Sequence, residues 1–248
     1  MIHTYFGGTT VIVTGAGSGI GRATAERLLA DGAHVVAVDV SHERLDDLAM
    51  SHGSSLSCVA GDLVDDDTIA RTLAAAGDDI DGLANVAGIM DGFEPTAEIA
   101  DATWDRVFAV NVTAMMRLTR AVLGPMVRRG SGSIVNVGSE AGLRGSAAGT
   151  PYTTSKHAVN GFTLSTAFFY GPKGIRCNAV APGPVATNIE APFHSEWAAA
   201  RVGPLMQVAL PPTARPEQLA AAIAFLLSDE ASNVSGAILP VDGGWAAI

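Results

Sequence analysis

Short apolar runs alternate with helix-forming stretches along almost the whole chain, and this alternation narrows the possible folds more than any other feature. Strands are predicted where the runs are short, rich in β-branched residues and apolar throughout: 11–13, 34–39, 56–60, 83–87, 133–137, 175–180 and 237–240. Strands that are apolar on both faces are typical of a sheet that is covered on both sides. Because the strands alternate with helical patterns, the sheet is expected to be parallel.

The predicted fold class is therefore α/β, with seven parallel strands in a doubly wound sheet and helices on both faces, making three layers. The chain has 248 residues, 48% of them apolar and 16% charged, which suffices for a substantial core. No linker-like stretch divides it, so we expect one domain over residues 1–248. The segment 182–216, rich in Pro and Ala, is expected to be a long irregular loop, and loops of that length are usually functional, often as lids.

Charge, cysteine and histidine content argue against several classes of partner. The 15 basic and 25 acidic side chains give a formal net charge of −10, and no basic stripe is present, so we expect no nucleic-acid partner. Two cysteines cannot build a disulfide framework, and the histidines lack metal-ligand spacing, so no metal site is expected. We see neither a signal-peptide pattern nor an uninterrupted apolar run near the roughly 20 residues of a membrane span. A cytoplasmic protein that binds no membrane is predicted.

A glycine-rich turn follows the first predicted strand and opens the first helix. Its glycines allow a tight turn and let the backbone approach a pyrophosphate, while the helix N-terminus offers free N–H groups and a positive dipole end. This strand–turn–helix context predicts a dinucleotide site. The spacing of the glycines differs from the general Gly-x-Gly-x-x-Gly fingerprint, and the motif can be counted from more than one of them. The residues assigned to the turn are Gly15, Gly17, Ser18, Gly19, Ile20 and Gly21.

An acidic residue, Asp39, ends the second predicted strand at about the distance from the turn where a ribose-binding carboxylate is found. Its charge would repel a 2′-phosphate, and no Arg or Lys stands at position 16, 18 or 40 to offset it. The sequence therefore predicts NAD as the cofactor, rather than NADP. An aspartate that merely caps the turn after the strand would give the same pattern.

Tyr152 and Lys156 are four residues apart at the start of a predicted helix and so share one of its faces. A tyrosine with an ordinary pKa near 10 is a poor base at neutral pH. A neighbouring ammonium group lowers that pKa, and such a pair can perform general acid–base chemistry. The spacing is common by chance, so its meaning depends on the other motifs.

Taken together, the motifs resemble those of the short-chain dehydrogenase/reductase family from Thr14 to Gly244, nearly the whole chain. Beyond the glycine turn, the matching elements are Asp62-Leu63, Asn85-Val86-Ala87-Gly88, Asn111, Ser139, Tyr152, Lys156, Pro182-Gly183-Pro184-Val185-Ala186-Thr187 and Asp242-Gly243-Gly244. Val86 departs from the pattern, since the family has a second asparagine there. The resemblance implies a Rossmann-type fold and a homotetramer.

The resemblance also implies a role for each catalytic residue. Ser139 would hold the substrate oxygen, and Tyr152 would give or take its proton while a hydride moves to or from the nicotinamide. Lys156 would hold the ribose of the nicotinamide half and bias the Tyr152 pKa, and Asn111 would fix a water that links Lys156 to solvent. Thr187 would orient the carboxamide. The implied cofactor-binding set is the glycine turn with Asp39, Asp62, Leu63, Asn85, Ala87, Gly88, Tyr152, Lys156, Pro182, Gly183, Val185 and Thr187.

The predicted function is NAD-dependent interconversion of a secondary alcohol and a ketone. Apolar residues in segment 182–216, among them Ile189, Phe193, Trp197 and Met206, favour a hydrophobic or cyclic small-molecule substrate, although they could equally pack under the lid or on another subunit. One alternative is a 3-oxoacyl-carrier-protein reductase, which in this family usually takes NADPH. Another is a dinucleotide-sensing regulator without turnover, against which the intact set of catalytic residues argues.

Overall fold

The computed structural model describes residues 5–189 and 191–247 and contains a seven-stranded sheet, all parallel, in the order β3-β2-β1-β4-β5-β6-β7. The strands are β1 Thr10–Thr14, β2 His34–Asp39, β3 Leu56–Ala60, β4 Gly82–Asn85, β5 Gly132–Val137, β6 Ile175–Pro182 and β7 Ile238–Val241. This confirms the predicted α/β class. Residues 1–4, 190 and 248, which the single-domain prediction includes, lie outside the described residues.

Helices cover both faces of the sheet and enclose two apolar cores. They are α1 Gly19–Ala30, α2 His42–Ala49, α3 Asp66–Ala76, α4 Asp101–Phe108, α5 Met115–Arg129, α6 Thr150–Tyr170, α7 Glu196–Ala209 and α8 Pro216–Leu227. In β1, Val11 and Val13 enter one core and Ile12 enters the other. Because neighbouring strand residues point to opposite faces, burial on both sides requires the uninterrupted apolar runs seen in the sequence.

One helical stretch is long and apolar enough to cross a membrane by length and composition alone. It runs from Asp101 to Arg129 through α4, a π-helical turn and α5, and 44% of its most apolar window is buried inside the protein. In this fold α4 packs on α6, and α5 packs on α3 and on the sheet. The core helix of a folded domain meets the same criteria, so the stretch is weak evidence for a membrane span.

The prediction of a wholly irregular segment over 182–216 was wrong, because α7 lies within it. Ser195 caps this helix by accepting a hydrogen bond from the Ala198 N–H at 3.0 Å, and Glu196 places a negative charge in its first turn. The alanines that follow favour a helix. Gly203 and Pro204 interrupt the helical sequence pattern because both residues disfavour a helix interior, yet Pro204 is tolerated in this exposed helix. Only Ala198 of α7 is buried, so the helix lies on the surface as a cover.

The chain order creates a crevice between β1 and β4. From β1 the chain moves outward through β2 and β3, then crosses back to place β4 on the other side of β1. The loops that follow these two strands consequently diverge, and doubly wound proteins bind ligands in the crevice at such a point, outside the carboxyl ends of the strands. The glycine turn follows β1 at this crevice.

Candidate active site

A cavity of about 530 Å³ opens over the crevice and runs from the glycine turn to α6. Most of the predicted site residues line it: Gly15, Ser18, Gly19, Ile20, Gly21, Asp39, Asp62, Leu63, Asn85, Ala87, Gly88, Ser139, Tyr152, Lys156, Pro182, Gly183, Val185 and Thr187. The two others, Gly17 and Asn111, are hydrogen-bonded to the lining residues Asp39 and Ile89. The strand ends therefore bring together residues that are far apart in the sequence.

The glycine turn is shaped as an anion cradle. Gly15 and Gly19 adopt positive φ angles of 66° and 52°, which favour glycine. A Cβ on Gly21 would lie 2.1 Å from the Gly15 carbonyl oxygen, so helix and turn can approach this closely only without a side chain. The Ser18 side chain makes no capping hydrogen bond and the first turn of α1 carries no acid. The helix N-terminus thus remains available to a phosphate, and these residues fit a dinucleotide.

Asp39 is buried beside the glycine turn. Its Oδ2 accepts a hydrogen bond from the Gly17 N–H and its Oδ1 from the Ser41 N–H, both at 2.9 Å. The carboxylate therefore caps a turn, as the simpler interpretation proposed, and it also lines the cavity where a ribose would lie. Arg44 lines the same end. Arg44 is not adjacent in sequence to Asp39 or the turn, and only the return of the chain through α2 brings it beside them, so the sequence prediction did not include it.

A second carboxylate, Asp62, lies at the same end of the cavity. Its Oδ1 accepts the Val64 N–H at 3.0 Å, and its Oδ2 pairs with the Arg106 guanidinium at 2.9 Å. Burial raises the Asp62 pKa, but the hydrogen bonds from Val64 and Arg106 and the Arg106 charge outweigh that effect and bring it below the usual value. Arg106 also lines the cavity. It comes from α4, and no local sequence signal connected it with Asp62.

Thr14 and Asn85 fix the ends of the two central strands. The Thr14 hydroxyl accepts hydrogen bonds from the N–H groups of Val86 and Ala87 at 2.9 and 3.0 Å, so β4 ends at Asn85, two residues before the predicted end at Ala87. Asn85 lines the cavity, but its amide nitrogen donates inward, to Thr119 Oγ1 at 3.0 Å and Asn136 Oδ1 at 2.8 Å. Val86, the departure from the family pattern, packs against an apolar core.

Tyr152 and Lys156 meet on one face of α6, as their spacing predicts. The Lys156 ammonium lies 5.4 Å from the centroid of the Tyr152 ring and donates to the Val137 carbonyl oxygen at 2.9 Å. Burial lowers the pKa of Lys156 to about 8. Burial raises the pKa of Tyr152 to about 12, a hydrogen bond with Ser139 opposes this, and the charge of Asp91 adds to it. The tyrosine in this state is therefore a proton donor at neutral pH.

Asn111 lies in the π-helical turn between α4 and α5, a kind of distortion often found at functional sites. Its Oδ1 accepts from the Ile89 N–H at 2.8 Å, and its Nδ2 donates to the Ile89 carbonyl at 2.9 Å and to Ser155 Oγ at 3.2 Å. A Cβ on Gly88 would lie within 3.4 Å of both Asn111 Oδ1 and Lys156 Nζ. Asn111 is thus adjacent to Lys156, and its water-holding role stays a prediction.

Behind Ser139 lies a buried ion pair that sequence reasoning did not anticipate. Ser139 Oγ accepts the Ala141 N–H at 3.1 Å, and the next residue, Glu140, is fully buried and paired with Arg144. The Arg144 guanidinium stacks 4.7 Å above the ring of Trp245, which lines the cavity. The Glu140 side chain therefore lies in the interior, next to the loop that holds Ser139.

The end of the cavity beyond Tyr152 is apolar. Its wall is formed by Met90, Phe93, Ala147, Val185, Ile189, Ala191, Met206, Leu210 and Trp245. Two of the predicted lid residues, Ile189 and Met206, belong to this wall, and Phe193 stacks on Phe93 with ring centroids 4.3 Å apart. Trp197 and Leu205 instead expose 65% and 47% of their surface. The outcome for the lid is therefore mixed: some residues face the cavity and others face outward.

Charged groups are unevenly distributed along the cavity. Among the described lining residues, Asp39, Arg44, Asp62 and Arg106 lie at the end near the glycine turn, and Lys156 lies at the centre. Within ranges 5–189 and 191–247, no group of three or more His, Cys, Asp or Glu side chains could hold a metal ion. The arrangement suits a charged, extended ligand at one end and a neutral, apolar one at the other.

Comparison with known proteins gives concordant matches. The family described as "short chain dehydrogenase" matches residues 9–197. The chain is 41% identical to the short-chain dehydrogenase/reductase cdmF of Talaromyces verruculosus, over 96% of this chain and 97% of that one. It is 37% identical to the 3beta-hydroxysteroid dehydrogenase 2 of Eggerthella lenta, over 97% and 95% of the two chains.

Solved structures agree with these relatives. The crystal structure of levodione reductase superposes with a TM-score of 0.87 at 34% identity and covers 98% of this chain and 99% of that one. A structure described as an NAD(P)-dependent gluconate 5-dehydrogenase from Beutenbergia cavernae, with NADP at low occupancy, has a TM-score of 0.85 at 36% identity and covers 99% and 100%. The chain belongs to the short-chain dehydrogenase/reductase family.

Proposed function

We propose that this protein is an NAD-dependent oxidoreductase that interconverts a secondary alcohol and a ketone on a hydrophobic, ring-bearing molecule. The observation that carries the proposal is the position of Ser139, Tyr152 and Lys156 between a glycine-turn cradle and an apolar cavity end. NAD held by the cradle would accept or supply a hydride. The chain itself supplies position and protons.

Proton movement is assigned to three side chains. The Ser139 hydroxyl would donate a hydrogen bond to the substrate oxygen, and the Tyr152 hydroxyl would give that oxygen a proton in reduction and remove it in oxidation. The pKa of Tyr152 is about 12, so the proton-donor form is present at neutral pH and oxidation requires a positive charge nearby. Lys156 lies close enough to provide it once protonated. Oxidation is expected to accelerate as pH rises because the phenolate form of Tyr152 becomes more populated, while the support from the Lys156 charge is lost above about pH 8.

The substrate class is inferred from the cavity wall. Met90, Phe93, Ile189, Met206 and Trp245 offer apolar contacts, and among the described residues that line the cavity none at that end is charged. A phosphate or carboxylate would find no partner there. A neutral ring system would bury its surface at about 25 cal/mol per Å². One relative, the 3beta-hydroxysteroid dehydrogenase 2, is named for a polycyclic alcohol.

A panel of substrates tests this proposal. Alcohols are supplied with NAD and ketones with NADH, and the change in NADH absorbance is followed. We expect turnover with cyclic, hydrophobic secondary alcohols or ketones and much lower kcat/KM with phosphorylated sugars. Binding of NADH without turnover across the panel would favour the dinucleotide-sensing alternative, and preferential reduction of 3-oxoacyl thioesters would favour the carrier-protein reductase.

Cofactor choice is a separate prediction. It is supported by Asp39, which is hydrogen-bonded to Gly17 and lines the cavity at that end, so that its negative charge would repel a 2′-phosphate. We expect kcat/KM to be higher for NADH than for NADPH, and Asp39→Ser to narrow or reverse that ratio because it removes the repelling charge and leaves Arg44, which lines the same end, to attract a phosphate. A wild-type preference for NADPH, the form of the cofactor bound in one structural neighbour, would contradict the assignment.

The assembly and compartment are part of the proposal. The outer surface of α6 exposes Phe168 and Phe169 by 77% and 68%, and Leu164 by 51%. Exposed apolar patches of this kind mark contacts between proteins. Together with family resemblance, they support a homotetramer, which we place in the cytoplasm.

A further inference from the structure

Asp91 is a buried carboxylate for which the proposed mechanism has no use. It is 4% exposed and lies two residues before Phe93, in the loop after β4. Its Oδ1 accepts hydrogen bonds from the N–H groups of Phe93 at 3.0 Å and Gly149 at 3.2 Å. Its Oδ2 accepts from the Tyr152 N–H at 2.9 Å. The carboxylate thus binds the main chain of the residue that moves the proton.

Helix α6 depends on this loop because it has no cap of its own. Its N-cap is Gly149, which has no side chain, and its first turn contains no acid. Pro151 has no N–H to satisfy, and the Thr150 N–H donates to the Glu94 carbonyl at 2.9 Å. The free N–H groups that begin a helix are therefore satisfied by residues 91 and 94. A capping residue is usually adjacent in sequence, and here it comes from another part of the chain.

We propose that Asp91 is a positioning residue for the acid–base step: it fixes the main chain of Tyr152 at the helix N-terminus and sets the electrostatic field at its hydroxyl. The inference rests on the proposed oxidoreductase function. A negative charge is stabilising at the positive end of a helix dipole, so one carboxylate both secures the helix and opposes ionisation of the tyrosine that the helix carries.

Other observations around Asp91 agree. Its charge raises the Tyr152 pKa, and burial raises its own pKa despite the three N–H donors, with a smaller contribution from Glu94. The other titratable groups near this region are Lys156, whose Nζ lies 5.4 Å from the Tyr152 ring centroid, and His194, 3.6 Å from Glu94. The positive charge of Lys156 favours the phenolate form of Tyr152, whereas the negative charge of Asp91 disfavours it. The two groups therefore shift the Tyr152 pKa in opposite directions.

Asp91 also shapes the substrate end of the cavity. Phe93 has a φ of 56°, the only positive φ outside glycine among the described residues, and such a conformation is strained for a bulky side chain. The hydrogen bond from its N–H to Asp91 holds this turn. Because Phe93 lines the cavity, the same carboxylate positions the proton donor and one wall of the substrate site.

The test compares Asp91→Asn with the wild type. The amide keeps the shape but removes the charge and one acceptor, so we expect kcat to fall about 10- to 100-fold through misplacement of Tyr152. The rise of kcat/KM for alcohol oxidation with pH is expected to begin roughly one pH unit lower, because a charge that opposes the phenolate is lost. Asp81→Asn is the matched control: Asp81 accepts the Thr10 N–H at 2.7 Å in the loop before β4, and its loss should leave the pH profile unmoved.

A merely structural role for Asp91 would lower stability without moving the pH profile, and that result overturns the proposal. If Asp91→Asn does not fold, Asp91→Ser, which is neutral and a good cap, is expected to show the same pH shift. If the wild type turns over no substrate, the proposed function fails but the inference remains testable. In that case the ionisation of Tyr152 is followed by ultraviolet titration, and the signal of the other tyrosines is measured in Tyr152→Phe and subtracted. The Tyr152 phenol must ionise at lower pH in Asp91→Asn than in the wild type, and an unchanged titration refutes the inference.

Discussion

Replacing Tyr152 with phenylalanine is expected to lower kcat by roughly 10²–10⁴ in both directions of the reaction, the usual contribution of a positioned acid–base group. Phenylalanine keeps the ring beside Lys156 and removes only the hydroxyl. The substrate oxygen then loses its proton donor in reduction and its base in oxidation. Since the cradle for the dinucleotide is untouched, we expect the Kd for NADH to change little.

Tyr170→Phe is the matched control, because Tyr170 ends the same helix and packs against an apolar core away from the cavity. It should leave kcat unchanged. Steady-state rates with the best substrate of the panel, together with NADH fluorescence titration, measure both expectations. Near-normal turnover in Tyr152→Phe would remove Tyr152 from the proposed mechanism and with it the argument for Ser139 as its partner.

Arg144→Met is expected to lower the free energy of unfolding by about 3–5 kcal/mol, the cost of leaving a buried charge without its partner. Glu140 is fully buried. Among the described residues, its carboxylate forms an ion pair with Arg144 and accepts no hydrogen bond. For a chain of this size the loss corresponds to a fall in Tm of roughly 6–20 °C. The stack of Arg144 on Trp245 is lost as well.

Arg22→Met provides the control for this prediction. Arg22 and Glu26 are also four residues apart on a helix, but their side chains are 35% and 45% exposed. Removing an exposed pair of this kind changes stability by about 0–1 kcal/mol. The double variant Glu140→Gln with Arg144→Met should recover part of the loss, since no buried charge remains. A thermal melt of Arg144→Met that matches Arg22→Met would show that Glu140 is accommodated without its partner.

Much of the fold followed from the sequence because its determinants are local. A strand covered on both faces must be apolar throughout, as Val11, Ile12 and Val13 are, and such runs are easily recognised. The end of β4 was misplaced because it depends on a hydroxyl from β1, that of Thr14. Helix α7 was missed because Pro and Gly residues disguise it and only one residue of it is buried.

The residues of the candidate site likewise fall into those that local sequence patterns predict and those that depend on tertiary structure. The glycine turn, Ser139, Tyr152 and Lys156 were predicted because their chemistry depends on short spacings and on family motifs. Arg44, Arg106 and Asp91 were missed, since only tertiary structure brings them to the site. Asp91 is an example. No sequence pattern distinguishes this carboxylate after a glycine motif, and its role becomes apparent only from the N-terminus of α6, which has no cap of its own.

The amide pair of Asn85 and Asn136 has a consequence for how accurately the site is assembled. The two residues face each other across β4 and β5 and are joined side chain to side chain at 2.8 Å. If either strand slipped by one residue along the other, both buried amides would lose their partners, at about 1–3 kcal/mol for each unsatisfied group. The pair therefore helps to fix the register between β4 and β5. It thereby fixes the relative positions of the strand ends from which the loops with Gly88 and Ser139 begin.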